Sequence, residues 1–497
     1  MSKYDVVIIG GGLGGLLCAN ILSREGFNVC LLEKNSKIGG CIQSFAKHKT
    51  IFNTGLNYTE SLGEGEVLYR YFKYFQIIDK IKIKRLDENH FDKISFDNDP
   101  NEYPLAQGYD NFVENLVKYF PEEKGNLIRY VKEMAEVCRF FPLYTLDGQR
   151  DTDSKEKYLN VSAYDFLCSV TPNKKLREVL GGMNSLYAGV KEKTPLYIHA
   201  LINSSFIRSA WRFVDGSSQL AARIEDVIKS NGGKVIRSAK VVKLSGENNA
   251  VNYAELENGE RIYADRFISN IHPAPTLKLL DPSLVKKAFH KRIGSLENTI
   301  GMFSVYMVMK NESFAYKNFN HHHFKNVNVW TTEYSDASWP EHYMLYTPAN
   351  SGAEKWANAA IALTYMNYND VKKWENTLLE NRGQDYKDFK EEKAERLLNF
   401  IEKKFPGFKS NIEHYYTSTP LTYRDYTATP EGSSYGVLKD YQNPLTTIIT
   451  AKSRVNNLLF TGQNLNMHGI LGVAISAALT CSEIIGYEYL VNKIMKA

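Results

Sequence analysis

The chain has 497 residues, of which 43% are hydrophobic and 24% charged, and its 61 basic and 56 acidic side chains leave a formal net charge of +5. That length exceeds one compact core and predicts two interleaved domains, while a mean hydropathy of −0.36 is that of a soluble globular protein. So small a positive excess argues against a nucleic-acid partner and leaves open only a basic face toward anionic lipid.

Only residues 1–5 precede the first apolar run, which predicts no signal peptide and a cytosolic protein. Residues 6–9 (VVII) lead into Gly10, Gly11, Gly12, Leu13, Gly14 and Gly15, and a helical pattern of Leu16, Leu17, Ala19, Ile21 and Leu22 follows until Gly26. This reads as strand, tight turn and helix. Gly10, Gly12 and Gly15 satisfy G-x-G-x-x-G: the first makes the turn, the second admits a pyrophosphate, and the third lets helix approach strand. The phosphates sit over Leu13 and Gly14 at the helix N-terminus, where free N–H groups and the dipole favour an anion. Residues 28–32 form a second buried strand ending at Glu33, placed to take ribose hydroxyls. An acid there favours NAD or FAD over NADP, and the unit by itself does not separate those two.

Lys34 follows, and then the doublet Gly39 and Gly40, where backbone can pass beside a bulky cofactor. At the far end of the chain a short strand (residues 458–460) runs into Gly462 and Gln463. A small-residue helix then begins near Gly469 to Gly472 and continues through Val473 and Ala474. This pairing of ends resembles the FAD-binding fold of flavin amine oxidases and phytoene desaturases, in which E-K-x-x-x-x-G-G and a terminal strand-glycine-helix element enclose one extended FAD.

The resemblance narrows along the chain. "FNTGLNYTE" (residues 52–60) is similar to the segment in which carotenoid isomerases and retinol saturases carry Gly-Leu-His-Tyr, with Asn57 in place of the histidine. "RFVDGSSQLAARIEDVIKSNGGKVIRSAKVVKL" resembles that family's return into the FAD domain, with Gly216 and Leu220 opening a helix and Val241 and Val242 on a strand beside the adenosine. "RFISNIHPAPTLKLL" and "TPLTYRDYTATPEGSSYGV" resemble its next strand and its late loop. On these segments the chain is identified as phytoene desaturase, carotenoid isomerase and retinol saturase-like.

That resemblance implies an α/β protein. A Rossmann-like, doubly wound, mostly parallel FAD-binding domain (residues 1–75, 206–290 and 441–497) is interleaved with an α+β substrate domain (residues 76–205 and 291–440). It implies bound FAD and oxidoreductase chemistry on the C–C or C=C bonds of an apolar isoprenoid or related lipid, by saturation, desaturation or cis-trans isomerisation. An external partner would supply or take the electrons, since only one dinucleotide fingerprint is visible. It places Asn57 and Tyr58 on one side of the isoalloxazine and His468 on the other as candidate catalytic groups. Asparagine cannot exchange a proton as histidine does, which puts an acid-base role at position 57 in question. A flavin amine oxidase is the alternative enzyme class, and a protein that only stores flavin or lipid is the non-enzymatic one.

Other features have plainer readings. The cysteines at 18, 30, 41, 138, 168 and 481 show no C-x-x-C spacing, which suits a reduced compartment, and the lack of a partner near Cys41 discards the flavoprotein disulfide reductases. No stretch reaches the length of a membrane span. His321, His322 and His323 read as a surface loop, because consecutive side chains in an extended segment alternate faces and do not converge on a metal; no metal site is expected. The 32 Tyr and 25 Phe suit either an ordinary core or a polyene tunnel. The C-terminal "EIIGYEYLVNKIMKA" suits either packing on the fold or rest on a membrane.

Overall fold

A computed structural model describes residues 3–146, 155–352 and 355–497. The opening strand β1 (Tyr4–Ile9) and β2 (Val29–Leu32) pair in parallel, and helix α1 (Leu13–Arg24) crosses between them. β1 is apolar and buried along nearly its whole length, as a strand covered on both faces must be. The sheet grows by long returns of the chain. Lys234–Ile236 pairs with β2 and Arg261–Ser269 with β1, both in parallel, and Leu458–Phe460 pairs in parallel with Arg261–Ser269. The strands Val241–Glu247 and Ala250–Leu256 extend one side as an antiparallel hairpin. α1 packs against Ser218–Ser230 and the helix Gly469–Ile485. Three sequence-distant segments therefore make one doubly wound α/β unit, the architecture expected of a dinucleotide-binding domain.

A second sheet of seven strands runs in the order Ile412–Ser418, Gly301–Met309, Ala359–Met366, His342–Tyr346, Asn320–Phe324, Asp92–Phe96 and Glu102–Leu105. All its pairings are antiparallel except Asn320–Phe324 with Asp92–Phe96. Alternation along Gly301–Met309 divides the cores: Phe303, Val305 and Met307 face the long helix Gln384–Lys404, whereas Met302, Tyr306 and Val308 face the core shared with the nucleotide unit. Helices such as Lys124–Arg139 and Leu196–Arg208 close that second side. Mixed sheets with helices on their faces are the α/β class read from the sequence.

Two ambiguous segments are resolved here. His321, His322 and His323 are not a surface loop. They form the middle of Asn320–Phe324, an interior strand, and are 2%, 0% and 2% exposed. Alternation does separate them: His323 sits against Tyr343 and Phe400, while His322 turns to Asp92 and Ser185 on the opposite face. Among the described residues no cluster of His, Cys, Asp or Glu is arranged to hold a metal. The C-terminal helix Tyr487–Met495 buries Leu490 and Ile494 and pairs Lys493 with Glu25 at 2.8 Å, so its apolar stripe is spent on the fold. Among the described residues no helix is long and apolar enough to cross a membrane.

Candidate active site

A cleft of about 410 Å³ lies along the carboxyl ends of the parallel strands, where ligands bind in open α/β sheets. Gly10, Gly12, Leu13, Gly14, Glu33, Lys34, Gly39, Gly40, Gly462, Gln463 and Val473 all line it. Gly15 lies behind the cleft wall: a Cβ there would stand 2.2 Å from the Gly10 carbonyl oxygen, so only glycine lets α1 come this close to β1. Gly10 has φ +97°, which carries the chain from strand to helix in a conformation that L side chains avoid. Asn270, at the end of the third parallel strand, donates to the Gly10 carbonyl at 3.2 Å and ties the glycine turn to its neighbour.

Glu33 is 6% exposed and anchored at both oxygens: Gly11 N–H donates to Oε2 and Asn35 N–H to Oε1, each at 2.8 Å. Each carboxylate oxygen keeps a further lone pair for a hydroxyl in the cleft. Lys34 reaches across to donate to the Asp425 carbonyl at 2.6 Å, and Asn35 donates to that of Tyr426 at 3.0 Å. The segment 426–429 thus covers this end of the cleft. A glycine-lined phosphate turn, an acid with free lone pairs and a length open from Glu33 to Gly469 suit a dinucleotide as extended as FAD. Val242 does not belong to this wall. It is 39% exposed and is not among the residues lining the cleft, whereas its neighbour Val241 lines it.

Beyond the cleft lies a second cavity of about 140 Å³. The two share Cys41, Gly55, Leu56, Ser434, Tyr435, Gly469 and Ile470 as a common wall. Asn57, Tyr58, His468 and Gly472 all line the second cavity and not the cleft. Its remaining walls are largely Leu, Ile, Met and aromatic, with Phe206 4.8 Å and Tyr346 5.7 Å from the Tyr58 ring. Such a surface binds by excluding water from apolar groups.

The polar groups in this cavity are few, and only some of them are held by partners. Asn57 Oδ1 is buried without a partner. The Tyr58 hydroxyl points away, donating to Asp92 Oδ2 at 2.8 Å, while Asn320 Nδ2 donates to Asp92 Oδ1 at 2.7 Å. Arg212, 1% exposed, donates to Asn320 Oδ1 at 2.5 Å and to the Thr347 and Phe319 carbonyls at 2.6 and 2.9 Å. The chain from Arg212 to Tyr58 compensates a fully buried carboxylate, as a low dielectric requires. Burial, and then Asp92, push the Tyr58 phenol well above its ordinary range, so Tyr58 gives the cavity a neutral wall with its proton committed to Asp92.

His468 precedes the helix Gly469–Ile485 and bonds through Nε2 to the Leu186 carbonyl at 2.9 Å. A carbonyl only accepts, so Nε2 carries the proton and Nδ1 keeps its lone pair. Burial lowers this imidazole to about pKa 4, and its ring lies 4.3 Å from that of Tyr435. The loop before it is pinned by Lys439, whose ammonium donates to the Thr447, Asn464 and Leu465 carbonyls at 2.9, 3.1 and 2.8 Å. Those three bonds use all its protons, although burial draws it down to about 7. Sequence reasoning passed over Lys439, Asn270, Asp92 and Glu60. Only Asn270 and Glu60 had a signal, lying inside the quoted segments "RFISN" and "FNTGLNYTE".

Comparison with known proteins adds to this geometry. The family model for an NAD(P)-binding Rossmann-like domain matches residues 8–75. The chain is 26% identical to all-trans-retinol 13,14-reductase of Danio rerio, over 97% of this chain and 86% of that protein. It is 26% identical to 4,4'-diaponeurosporene oxygenase of Staphylococcus aureus (strain USA300), over 56% of this chain and 58% of that one. Among solved structures, putrescine oxidase bound to putrescine superposes with a TM-score of 0.66 at 14% identity, over 97% of this chain and 99% of that one. The last match establishes the fold and nothing about the substrate.

Proposed function

Because the chain belongs to the phytoene desaturase, carotenoid isomerase and retinol saturase-like family of FAD-dependent oxidoreductases, we propose that it saturates a C=C bond of a retinoid-like polyene. The observation that carries this reading is the apolar, aromatic-walled cavity that shares a wall with the cofactor cleft and has no lysine, arginine or aspartate in its lining. Relatives spanning nearly the whole chain bear the name all-trans-retinol 13,14-reductase, one of them as an inactive form, whereas the oxygenase match spans little more than half of it. Saturation is therefore favoured over the desaturation and isomerisation that the family also performs.

FAD, when bound, supplies the hydride chemistry. The chain's own residues do the rest. Gly10, Gly12 and Gly14 bring backbone to the pyrophosphate, and Glu33 holds the ribose. Lys439 fixes residues 464 and 465 so that the helix Gly469–Ile485 starts at the wall shared by cleft and cavity. Tyr58, Phe206, Tyr346 and Met344 exclude water and orient an apolar chain. The buried Arg212–Asn320–Asp92–Tyr58 network keeps that wall in place. Electron supply from an external donor and any contact with a membrane surface belong to the same proposal.

The test is a substrate panel on purified holoprotein. Reduced enzyme held without oxygen should be reoxidised by polyenes, giving product two hydrogens heavier, and the oxidised enzyme should not be bleached by amines. Bleaching by a primary or diamine, with no response to any polyene, would replace this reading with the amine oxidase one.

A further inference from the structure

Glu60 is the one carboxyl group among the residues lining the second cavity. It ends the short strand Thr59–Glu60, is 8% exposed, and meets the first turn of the helix Gly469–Ile485. Leu471 N–H approaches Oε1 at 3.4 Å, and the Thr59 hydroxyl donates to Oε2 at 3.0 Å. Oε1 stands 3.8 Å from where a Cβ on Gly469 would lie, and Gly469 lines both cleft and cavity. This acid therefore sits at the junction through which cofactor and substrate meet. Tyr144, on the same cavity wall and electrostatically coupled to Glu60, has a buried hydroxyl with no partner.

Adding two hydrogens to one double bond of an apolar polyene takes one hydride and one proton, and an enclosed pocket cannot rely on bulk water for the proton. The other titratable groups in the lining are poor donors. His468 is held neutral with its proton on the Leu186 carbonyl. The phenols of Tyr58, Tyr144, Tyr346, Tyr423 and Tyr435 and the Cys41 thiol are all pushed upward by burial. Resting on the saturase reading, we propose that Glu60 is the general acid that protonates the polyene carbon adjacent to the one receiving hydride. The Glu60 O–H bond breaks and a C–H bond forms with the π electron pair, while the hydride comes from the reduced flavin. The resulting carboxylate is held by Leu471 N–H and the Thr59 hydroxyl, and it regains a proton from solvent as product leaves. Burial outweighs these hydrogen bonds and raises the carboxyl above its ordinary range, the direction that favours the proton-bearing form the step needs.

The holoprotein and Glu60→Gln, which keeps the shape and the acceptor for Leu471, test this. In native protein without substrate, infrared spectra near neutral pH should show a neutral carboxylic acid carbonyl band that Glu60→Gln removes. With reduced flavin and all-trans-retinol, Glu60→Gln should retain flavin and KM but slow reoxidation by about 10²-fold or more. The native rate should fall as pH rises through the Glu60 titration, a dependence that Glu60→Gln should lose. An unchanged rate and pH profile in Glu60→Gln, with the native enzyme active, overturns the role of Glu60 alone. A native enzyme inert to every polyene overturns the saturase reading and this role with it. If Glu60→Gln loses its flavin, Glu60→Asp decides: an acid set back by one methylene should slow reoxidation by about 10- to 100-fold while keeping the fall in rate at rising pH, and an unchanged rate overturns the proposal.

Discussion

The cofactor cleft and the second cavity share a wall and are built in opposite ways. The cleft, about 410 Å³, is made of backbone: three glycine turns, helix starts and one acid tied to two N–H groups. The cavity, about 140 Å³, is made of side chains drawn from residues 57–60, 144, 186–206, 302–363 and 423–472. A backbone site fixes what binds, because a phosphate contacts N–H groups that every residue type carries. A side-chain site fixes what reacts. Folds of this kind keep the first and vary the second, which is why an amine oxidase superposes on this chain at 14% identity.

The sharpest way to break the contrast is at Glu33. Glu33→Ala should leave the Gly11 and Asn35 N–H groups without acceptors, at about 1–3 kcal/mol each, besides losing the ribose contacts. Flavin content of the purified protein should fall steeply, while the cavity core stays folded by near-ultraviolet circular dichroism. Full flavin occupancy would mean that the cleft does not hold the cofactor as described.

Acid should act on the buried histidines. Burial lowers His199, His321 and His342 to about 3, and His272 and His468 to about 4, from 6.5. Between pH 6.5 and those values the unfolded chain binds more protons than the native one, so stability should fall as pH falls through this window. His468→Gln should remove one proton from the slope, about 1.4 kcal/mol per pH unit, in denaturation curves taken between about pH 6.5 and about pH 4.5. An unchanged slope would show that His468 is charged in the native protein.

The smallest effect is expected at Val242. Val242→Ser, on the exposed face of its strand, should change flavin affinity and stability by less than about 0.5 kcal/mol, whereas Val241→Asp, facing the cleft, should lower flavin content. Equal losses from both would return Val242 to the cofactor wall.

The same contrast explains what the sequence disclosed. Gly10, Gly12, Gly15 and Glu33 are legible because their spacing is local and a single βαβ unit imposes it. The strand Val241–Glu247 was legible, but a helix-to-strand return does not reveal which residue turns toward the cleft, and it is Val241 that lines it. His321, His322 and His323 read as a surface loop because their alternating faces offer no converging ligand set and nothing local signals burial. Their burial depends on Asp97 from one side of the sheet and on Asp92 and Ser185 from the other, none of them near in sequence. Glu60 lay inside a quoted motif and was passed over for Asn57 and Tyr58, because only the tertiary structure brings the start of the helix Gly469–Ile485 against it.

The measurement that bears most directly on the whole account is an anaerobic single turnover. Holoprotein with its flavin reduced is mixed with all-trans-retinol, and flavin absorbance is followed together with product mass. The account predicts reoxidation that saturates with polyene concentration and yields one product, two hydrogens heavier, per flavin. Flavin that stays reduced, or that is reoxidised without a saturated product, would contradict it.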